Sequence, residues 1–164
     1  MIAPPQDRHT ARADKPVVLF LIGMRINKPL AVGKWRRVAA AMPKMLKELS
    51  ARPDSGLLWF HTYLSVPVIM VQQYWESFDK LLAYAHDKSG AHFPAWGEFN
   101  RRIGYSEGAV GIWHETYLIE PGKFETVYGN MPPFGLAAAT TRVLAEGRLA
   151  AAKNRFEIDS ASTP

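Results

Sequence analysis

Hydrophobic residues follow two kinds of pattern along this chain, and one of them predicts strands. The unbroken apolar run Val17–Met24 is typical of a strand buried on both faces. Strict alternation over Leu57–Ser65 predicts a strand with two different faces. Pro67 precedes a further strand, Val68–Trp75, which is close enough to form an antiparallel hairpin with the first. Ala109–Ile119 alternates in the same way and predicts the last long strand.

Helical spacing is the second pattern. Apolar residues recur three and four positions apart over Lys34–Ser50, where Pro43 should kink the helix or split it in two. Ser77 is a suitable cap for a second helix that ends at Ser89-Gly90. The Ala-rich segment from Leu136 to about Lys153 is helical by propensity. A short strand, Phe124–Tyr128, should come before it.

The order of these elements is strand, helix, strand, strand, helix in two pieces, strand. This order predicts an α+β fold of the ferredoxin-like, split βαβ kind, with an appended C-terminal strand and helix. We expect one domain over residues 16–156, with a disordered leader at 1–15 and a disordered tail at 157–164. Helices cover one face of such a sheet, and the other face would be too apolar to remain in water. A homodimer forming a dimeric α/β barrel would cover it.

The amino-acid composition excludes several kinds of functional site and partner. The 164 residues contain no cysteine, which excludes disulfides, thiolate catalysis and sites built on thiolate ligands. The net charge is +5, but the basic pairs Arg36-Arg37 and Arg101-Arg102 do not extend into runs. Solvated helix faces explain them better than a nucleic-acid surface. No apolar stretch is long enough to span a membrane. We therefore expect a cytoplasmic protein with neither nucleic acid nor membrane as a partner.

Two histidines stand out because each falls on the apolar side of its predicted element. His92 precedes Pro94, a residue suited to a first helical turn, and shares a face with Trp96, Phe99 and Ile103. His114 should share a strand face with apolar residues, while Trp113, Glu115 and Tyr117 point to the other side. A buried histidine is often only a core or capping group. Polar rings among apolar neighbours also suggest a site, and His61, beside Trp59 and Tyr63, is a third candidate.

The region Tyr74–Leu136 resembles a known family. Its motifs are YWESFDKLLAYA, HFPAWGEFNRR, VGIWHETY and the closing YGNMPPFGL. They are similar to a family of fungal and bacterial proteins named after a fumagillin-pathway monooxygenase. This resemblance implies the dimeric α/β barrel and leaves the chemistry poorly defined.

A narrower resemblance concerns the two histidines. Ala91-His92-Phe93 followed by Trp113-His114-Glu115 is similar to the C-terminal half of haem-containing aldoxime dehydratases. The resemblance implies that His92 is the proximal ligand to haem iron, the metal site of the protein, and that His114 is a distal catalytic acid/base. Those enzymes are about twice as long. Their further distal polar groups come from a half that has no counterpart here, so no serine or arginine is carried over.

Haem b also makes physical demands that these residues meet. Its iron needs a neutral imidazole, its macrocycle needs a flat apolar slot, and its propionates need cations. His92 would supply the imidazole, and Trp96, Phe99 and Trp113 would form the slot. Arg142, or the pair Arg101-Arg102, would bind the propionates.

Three functions remain open at this point. The first is a haem-dependent enzyme, either an aldoxime-dehydratase-like lyase or an oxidoreductase, acting on a small apolar substrate with His114 as acid/base. The second is a cofactor-independent monooxygenase of the antibiotic-biosynthesis type, in which His114 or His61 deprotonates an acidic phenol. The third is a non-enzymatic dimer that binds haem or another small ligand. The first and third require His92 at the metal, and the second does not.

Overall fold

The larger of two sheets organises the molecule. A computed structural model describes residues 7–87 and 108–156. Four antiparallel strands form the larger sheet in the order β3-β4-β2-β5. Their bounds are β2 Val17–Ile26, β3 Leu57–Leu64, β4 Val68–Trp75 and β5 Val110–Ile119. Two helices accompany them, α1 Val32–Ser50 between β2 and β3 and α2 Phe78–His86 after β4. This is the predicted ferredoxin-like α+β arrangement, which is confirmed.

Strand pairing defines two faces of this sheet. Val18 lies opposite both Trp75 and Leu118, and Ile22 lies opposite both Val71 and His114. Because directly opposed residues point to the same side, these side chains share one face. We call it the helix-side face, since Val18 and Trp75 pack there against Leu49 of α1 and Leu81 of α2. The other face, which carries Leu19, Leu21 and Gly23 of β2, is called the open face.

The core on the helix-side face centres on Trp75, whose side chain is fully buried. Its indole Nε1 donates a hydrogen bond of 2.9 Å to Oε1 of Gln73, which is itself buried. A second apolar cluster, around Met24, Ile26 and Val110, packs against Trp35 and Val38 of α1. The helices therefore cover the part of the sheet formed by β2, β4 and the start of β5.

A smaller sheet has the order β6-β1-β7 and lies over one end of the open face. Its strands are β1 Arg8–Arg12, β6 Tyr128–Gly129 and β7 Thr141–Leu144. Ala11 of β1 joins Val17, Tyr74 and Leu136 in one buried cluster. The prediction of a disordered leader is thus wrong for residues 8–12. The prediction that only a second copy could cover the open face is wrong for this end, which the chain covers itself.

The predicted helix from Leu136 to Lys153 is also wrong. The structure has a four-residue helix, α3 Leu136–Ala139, then β7, then a 3-10 turn at Gly147–Ala150 and a short helix α4 Ala152–Arg155. Thr140 ends α3, where its hydroxyl donates a 2.7 Å hydrogen bond to the carbonyl of Leu136. Alanine propensity is a weak preference, and pairing of β7 along β1 overrides it.

Other local predictions can be compared directly with the structure. Helix α1 continues through Pro43, so the predicted split into two helices is wrong. Ser77 caps α2 as predicted, with its hydroxyl accepting a hydrogen bond of 3.2 Å from the amide of Lys80. Of the strand predicted at Phe124–Tyr128, only Tyr128 lies in a strand, the two-residue β6. The helix predicted to follow His92 lies outside the described residues. Among the helices that the structure describes, none combines the length and apolar character needed to cross a bilayer.

Candidate functional site

His114 lies on the helix-side face, at the middle of β5. Its imidazole centroid is 5.7 Å from the ring centroid of Phe20 on the neighbouring strand, and the two planes are inclined by 44°. Apolar residues surround it in the sheet, since Ile22 lies directly opposite and Ile112 is two positions away. The side chain is nevertheless exposed, whereas the sequence predicted an inward-facing, apolar position. The helix core of α1 and α2 covers the other half of this face.

A small cavity lies beside Phe20 and Ile22, between the sheet and the two helices. Its volume is about 50 Å³, and Met42, Leu81 and Tyr84 contribute to its walls. Burial raises the pKa of Tyr84 to about 12. A space of this size suits a few water molecules, whereas sites for drug-sized ligands measure roughly 300–1,000 Å³. The cavity is therefore too small for a macrocycle.

Trp113 and Glu115 point away from His114. A Cβ atom placed on Gly23 of the open face would lie 2.7 Å from Nε1 of Trp113, which locates the indole on that face. Glu115 accepts a 2.6 Å hydrogen bond from the hydroxyl of Tyr117, its neighbour on the same side. Strand alternation separates these residues from His114. Trp113 thus lies on the face opposite His114, as strand alternation predicted, and its role in a haem slot stays a prediction.

Arg142 also lies apart from His114. It belongs to β7 in the smaller sheet, opposite Ala11. Its Nη2 lies 2.9 Å from Nδ1 of His9, and its buried Nε has no hydrogen-bond partner among the described residues. The structure does not bring Arg142 to the helix-side face, because the segment predicted as a helix forms a strand instead.

The predicted ligand and most of the predicted slot cannot be placed. His92, Trp96 and Phe99, together with Arg101 and Arg102, lie in residues 88–107, outside the described residues. Within residues 7–87 and 108–156, no group of three or more His, Cys, Asp or Glu side chains could hold a metal ion. The role of His92 therefore stays a prediction.

The open face carries an aromatic cluster around His61 that the sequence only partly indicated. The imidazole stacks on Trp59 at 6.0 Å and meets Tyr63 edge-on at 4.8 Å. Phe134 completes the cluster, with its ring 5.1 Å from that of His61. Alternation along β3 predicted that Trp59, His61 and Tyr63 share one face. No local pattern connects them with Phe134, which lies in the loop before α3, far away in the sequence.

A chain of hydrogen bonds runs along the floor of this cluster. The hydroxyl of Tyr63 donates to Oε1 of Gln72 at 2.8 Å, and Nε2 of Gln72 donates to the hydroxyl of Tyr74 at 3.1 Å. Burial raises the pKa of Tyr74 to about 12. Beyond it, the hydroxyl of Tyr128 accepts a 3.3 Å hydrogen bond from the amide of Ala137 in α3. The open face thus offers polar groups beside aromatic rings.

Comparison with known proteins identifies the family. The family model described as "Monooxygenase af470-like" matches residues 17–136, the whole of the larger sheet and its helices. The chain belongs to this family. The curated protein monooxygenase af470 of Aspergillus fumigatus is 26% identical over 135 residues, which cover 77% of this chain and 47% of that protein. The chain thus spans about half the length of this family relative.

A solved structure agrees with the family fold. Aldoxime dehydratase OxdRE, crystallised in complex with butyraldoxime, matches 93% of this chain and 43% of its own, with a TM-score of 0.57 and 18% identity. At this identity the likeness shows the fold, and the predicted resemblance to aldoxime dehydratases is confirmed at that level. SnoaB, a cofactor-independent oxygenase from Streptomyces nogalater, matches 62% of this chain and 90% of its own at 9% identity. Its TM-score is 0.43.

Proposed function

We propose that this member of the monooxygenase af470-like family is a haem-dependent enzyme acting on a small apolar substrate. It would be an oxidoreductase, or a lyase that dehydrates aldoximes, with His92 as iron ligand and His114 as acid/base. The observation that supports this proposal is the position of His114. It is an exposed imidazole, set among the apolar side chains of Phe20 and Ile22, on the face where the helices pack.

The described residues would form one wall of a haem site. On β5, the helix-side face presents His114 between Ile112 and Thr116, with the exposed Leu118 beyond them, so the imidazole stands beside a mostly apolar surface. The cavity against α1 and α2 is too small for a macrocycle. The group would therefore lie over the β5 side of this face. When bound, haem would supply an iron centre able to polarise or oxidise the substrate.

The chain's own contribution at this site is proton transfer. Imidazole is the side chain that most readily gains and loses a proton near neutral pH. The imidazole of His114 is exposed and lies beside the ring of Phe20. His114 would thus deliver or remove a proton at the substrate. The apolar side chains of Phe20 and Ile22 would lie next to the imidazole.

The assembly and location proposed from sequence belong to the same proposal. We propose a homodimer, in which a second copy covers the part of the open face that the smaller sheet leaves uncovered. Trp113 and Tyr117 lie on that part. A cytoplasmic location and a small-molecule substrate complete the proposal. A dimer that binds haem without turnover remains the non-enzymatic form of it.

A second candidate function is favoured by a separate observation on the open face. The hydrogen-bond chain from Tyr63 through Gln72 to Tyr74 lies beside the exposed imidazole of His61. Such a surface suits an acidic phenol, whose hydroxyl His61 could deprotonate while Trp59 and Phe134 contact the ring. This is the arrangement expected of a cofactor-independent monooxygenase.

An absorption titration with hemin tests the first proposal. We expect a Soret band that saturates at one haem per chain and is lost in His92→Ala. His114→Ala should keep the band and lose turnover of butyraldoxime or peroxide by roughly 10²–10⁴-fold, the usual contribution of a general acid or base. His86→Ala is the matched control, since this exposed histidine lies at the C-terminal end of α2. Its band and turnover should equal those of the wild type.

The same measurements separate the alternatives. A wild-type protein without any Soret band after hemin addition would contradict haem dependence. In that case, loss of phenol oxidation in both His61→Ala and Tyr63→Phe would support the cofactor-independent function. A band that survives in His114→Ala with no activity in any wild-type assay would support the non-enzymatic dimer.

A further inference from the structure

We infer that one end of the larger sheet is a docking surface for an anionic lipid membrane. Four aliphatic residues define this surface, which we call the tip: Leu30, Val32, Leu64 and Val66. Leu30 is 98% exposed, Val66 84% and Leu64 81%. Isolated exposed aliphatics are common, but several near-complete exposures at one end of a fold are typical of an interaction surface.

Long-range hydrogen bonds bring the tip together. The amide of Ile26, the last residue of β2, donates to the carbonyl of Pro67 in the β3–β4 turn at 2.8 Å. The next amide, from Asn27, donates at 3.0 Å to the carbonyl of Ala109, just before β5. Nε1 of Trp35 donates to the carbonyl of Pro29, which fixes the loop carrying Leu30 against the start of α1. The loop and the turn therefore project from the same end of the sheet.

Within the described residues of the segments that form the tip, the charged side chains are all positive. The three segments that form this end, residues 25–37, 63–69 and 108–112, contain no Asp or Glu. Arg25, Arg36 and Arg37 are exposed there. Glu107, which precedes the third segment, lies outside the described residues. The opposite end of the sheet is mixed in charge, with Asp14, Asp54, Glu76, Asp79 and Glu120 among its cations. Sequence alone assigned the basic pair Arg36-Arg37 to a solvated helix face, and the fold sets the start of α1, which carries this pair, at the same end of the sheet as the tip.

This combination fits a lipid surface better than other partners. Aliphatic side chains gain free energy by entering the acyl region of a bilayer, while arginines beside them contact anionic headgroups. Nucleic acid would engage the arginines but offers little to leucine and valine. A second copy of the same tip would bring like charges together, which disfavours it as the occupant. The proposed partner is therefore a bilayer rich in anionic lipid.

Vesicle flotation tests the inference with the full chain. The protein should float with vesicles of phosphatidylcholine and phosphatidylserine, stay behind with phosphatidylcholine alone, and detach as salt is raised. The double variant Arg36→Glu/Arg37→Glu should bind at least about 30-fold more weakly, because each cation near an anionic surface contributes about a fivefold factor. Lys15→Glu makes the same kind of charge change at the opposite end and should bind like the wild type.

The aliphatic part of the tip has its own test. Leu30→Ser and Val66→Ser should each weaken vesicle binding by about tenfold or more, because each removes an inserted apolar side chain. Leu144→Ser, an exposed leucine of β7, is the matched control and should leave binding unchanged. Circular dichroism melting of each variant confirms that the fold is kept, as expected for exposed positions.

A site-specific label gives an independent readout. Since the chain has no cysteine, Leu30→Cys places a single polarity-sensitive dye at the tip, and Lys15→Cys places it at the opposite end. Anionic vesicles should shift the emission of the first to the blue and leave the second unchanged. Failure of the wild type to float with either vesicle overturns the inference, as does equal binding to both. A protein that ignores vesicles but retards a DNA duplex would place nucleic acid on this surface instead.

Discussion

His114 of β5 and Phe20 of β2 are diagonal neighbours on the helix-side face, with ring centroids 5.7 Å apart. Phe20 also forms part of the cavity wall against α1 and α2, so the aromatic ring stands between the helix core and the exposed imidazole. The histidine thus borders the hydrophobic core without being part of it. An exposed imidazole at the border of the core should contribute little to stability, and this can be measured.

His114→Ala should leave the free energy of unfolding within about 0.5 kcal/mol of the wild type, because the imidazole is exposed. Trp75→Ala is the comparison from the same face, where the side chain is fully buried. Trp75→Ala should lower the free energy of unfolding by about 3–5 kcal/mol, because it leaves a cavity. Urea denaturation measures both. A loss above about 2 kcal/mol in His114→Ala would mean that the imidazole has a structural role.

Gly23→Ala should destabilise the larger sheet by about 1–3 kcal/mol through overpacking. The new Cβ would lie 2.7 Å from Nε1 of Trp113 and 2.9 Å from the carbonyl oxygen of Ile69, and the second of these is backbone. Gly33→Ala in α1 is the matched control, since nothing lies within 4 Å of its Cβ position. It should be neutral or stabilise by up to about 1 kcal/mol. Thermal unfolding compares the stability of the two variants. Equal melting temperatures would contradict the overpacking predicted for Gly23→Ala.

Removal of residues 1–12 should dismantle the smaller sheet. Strand β1 is its central strand, and Thr10 and Ala11 are buried. The hydroxyl of Thr126, which accepts a 2.8 Å hydrogen bond from the amide of Ala11, would lose this partner. We expect fast proteolysis of the segment after β5 and a clearly lower melting temperature. Arg8→Ala, an exposed change in the same strand, should show neither effect, and a truncated protein as resistant as the wild type would contradict the role of β1.

Stability should fall in alkaline solution as Tyr74 ionises. Burial raises the pKa of Tyr74 to about 12, above its ordinary value of 10.0. The stabilising effect of the protonated hydroxyl is complete below pH 10 and is lost as the pH rises through the folded pKa, because only the unfolded chain releases the proton in this window. The loss should approach roughly 2–3 kcal/mol. Urea midpoints from pH 9 to 12 should decline less steeply in Tyr74→Phe, and parallel slopes would rule out Tyr74 as the source.

Much of the larger sheet and its helices could be predicted from the sequence. The run Val17–Met24, the alternation in Leu57–Ser65 and the cap at Ser77 each match an observed element. Alternation also separated His114 from Trp113 and Glu115. These features depend on residues a few positions apart, and the backbone periodicities of helix and strand translate them directly into structure.

The tertiary structure alone decided the rest, because it depends on contacts between residues far apart in the chain. Pairing with β1 made a strand of Thr141–Leu144, which took Arg142 to the smaller sheet and turned the expected leader into a core element. Folding of the C-terminal region brought Phe134 to His61 and covered one end of the open face. The turn at Pro67 reached the end of β2 and placed Leu64 and Val66 at the end of the sheet where α1 begins. The sequence by itself determined which segments become strands and helices of the family fold, while the free energy of these distant pairings decided which side chains share a site.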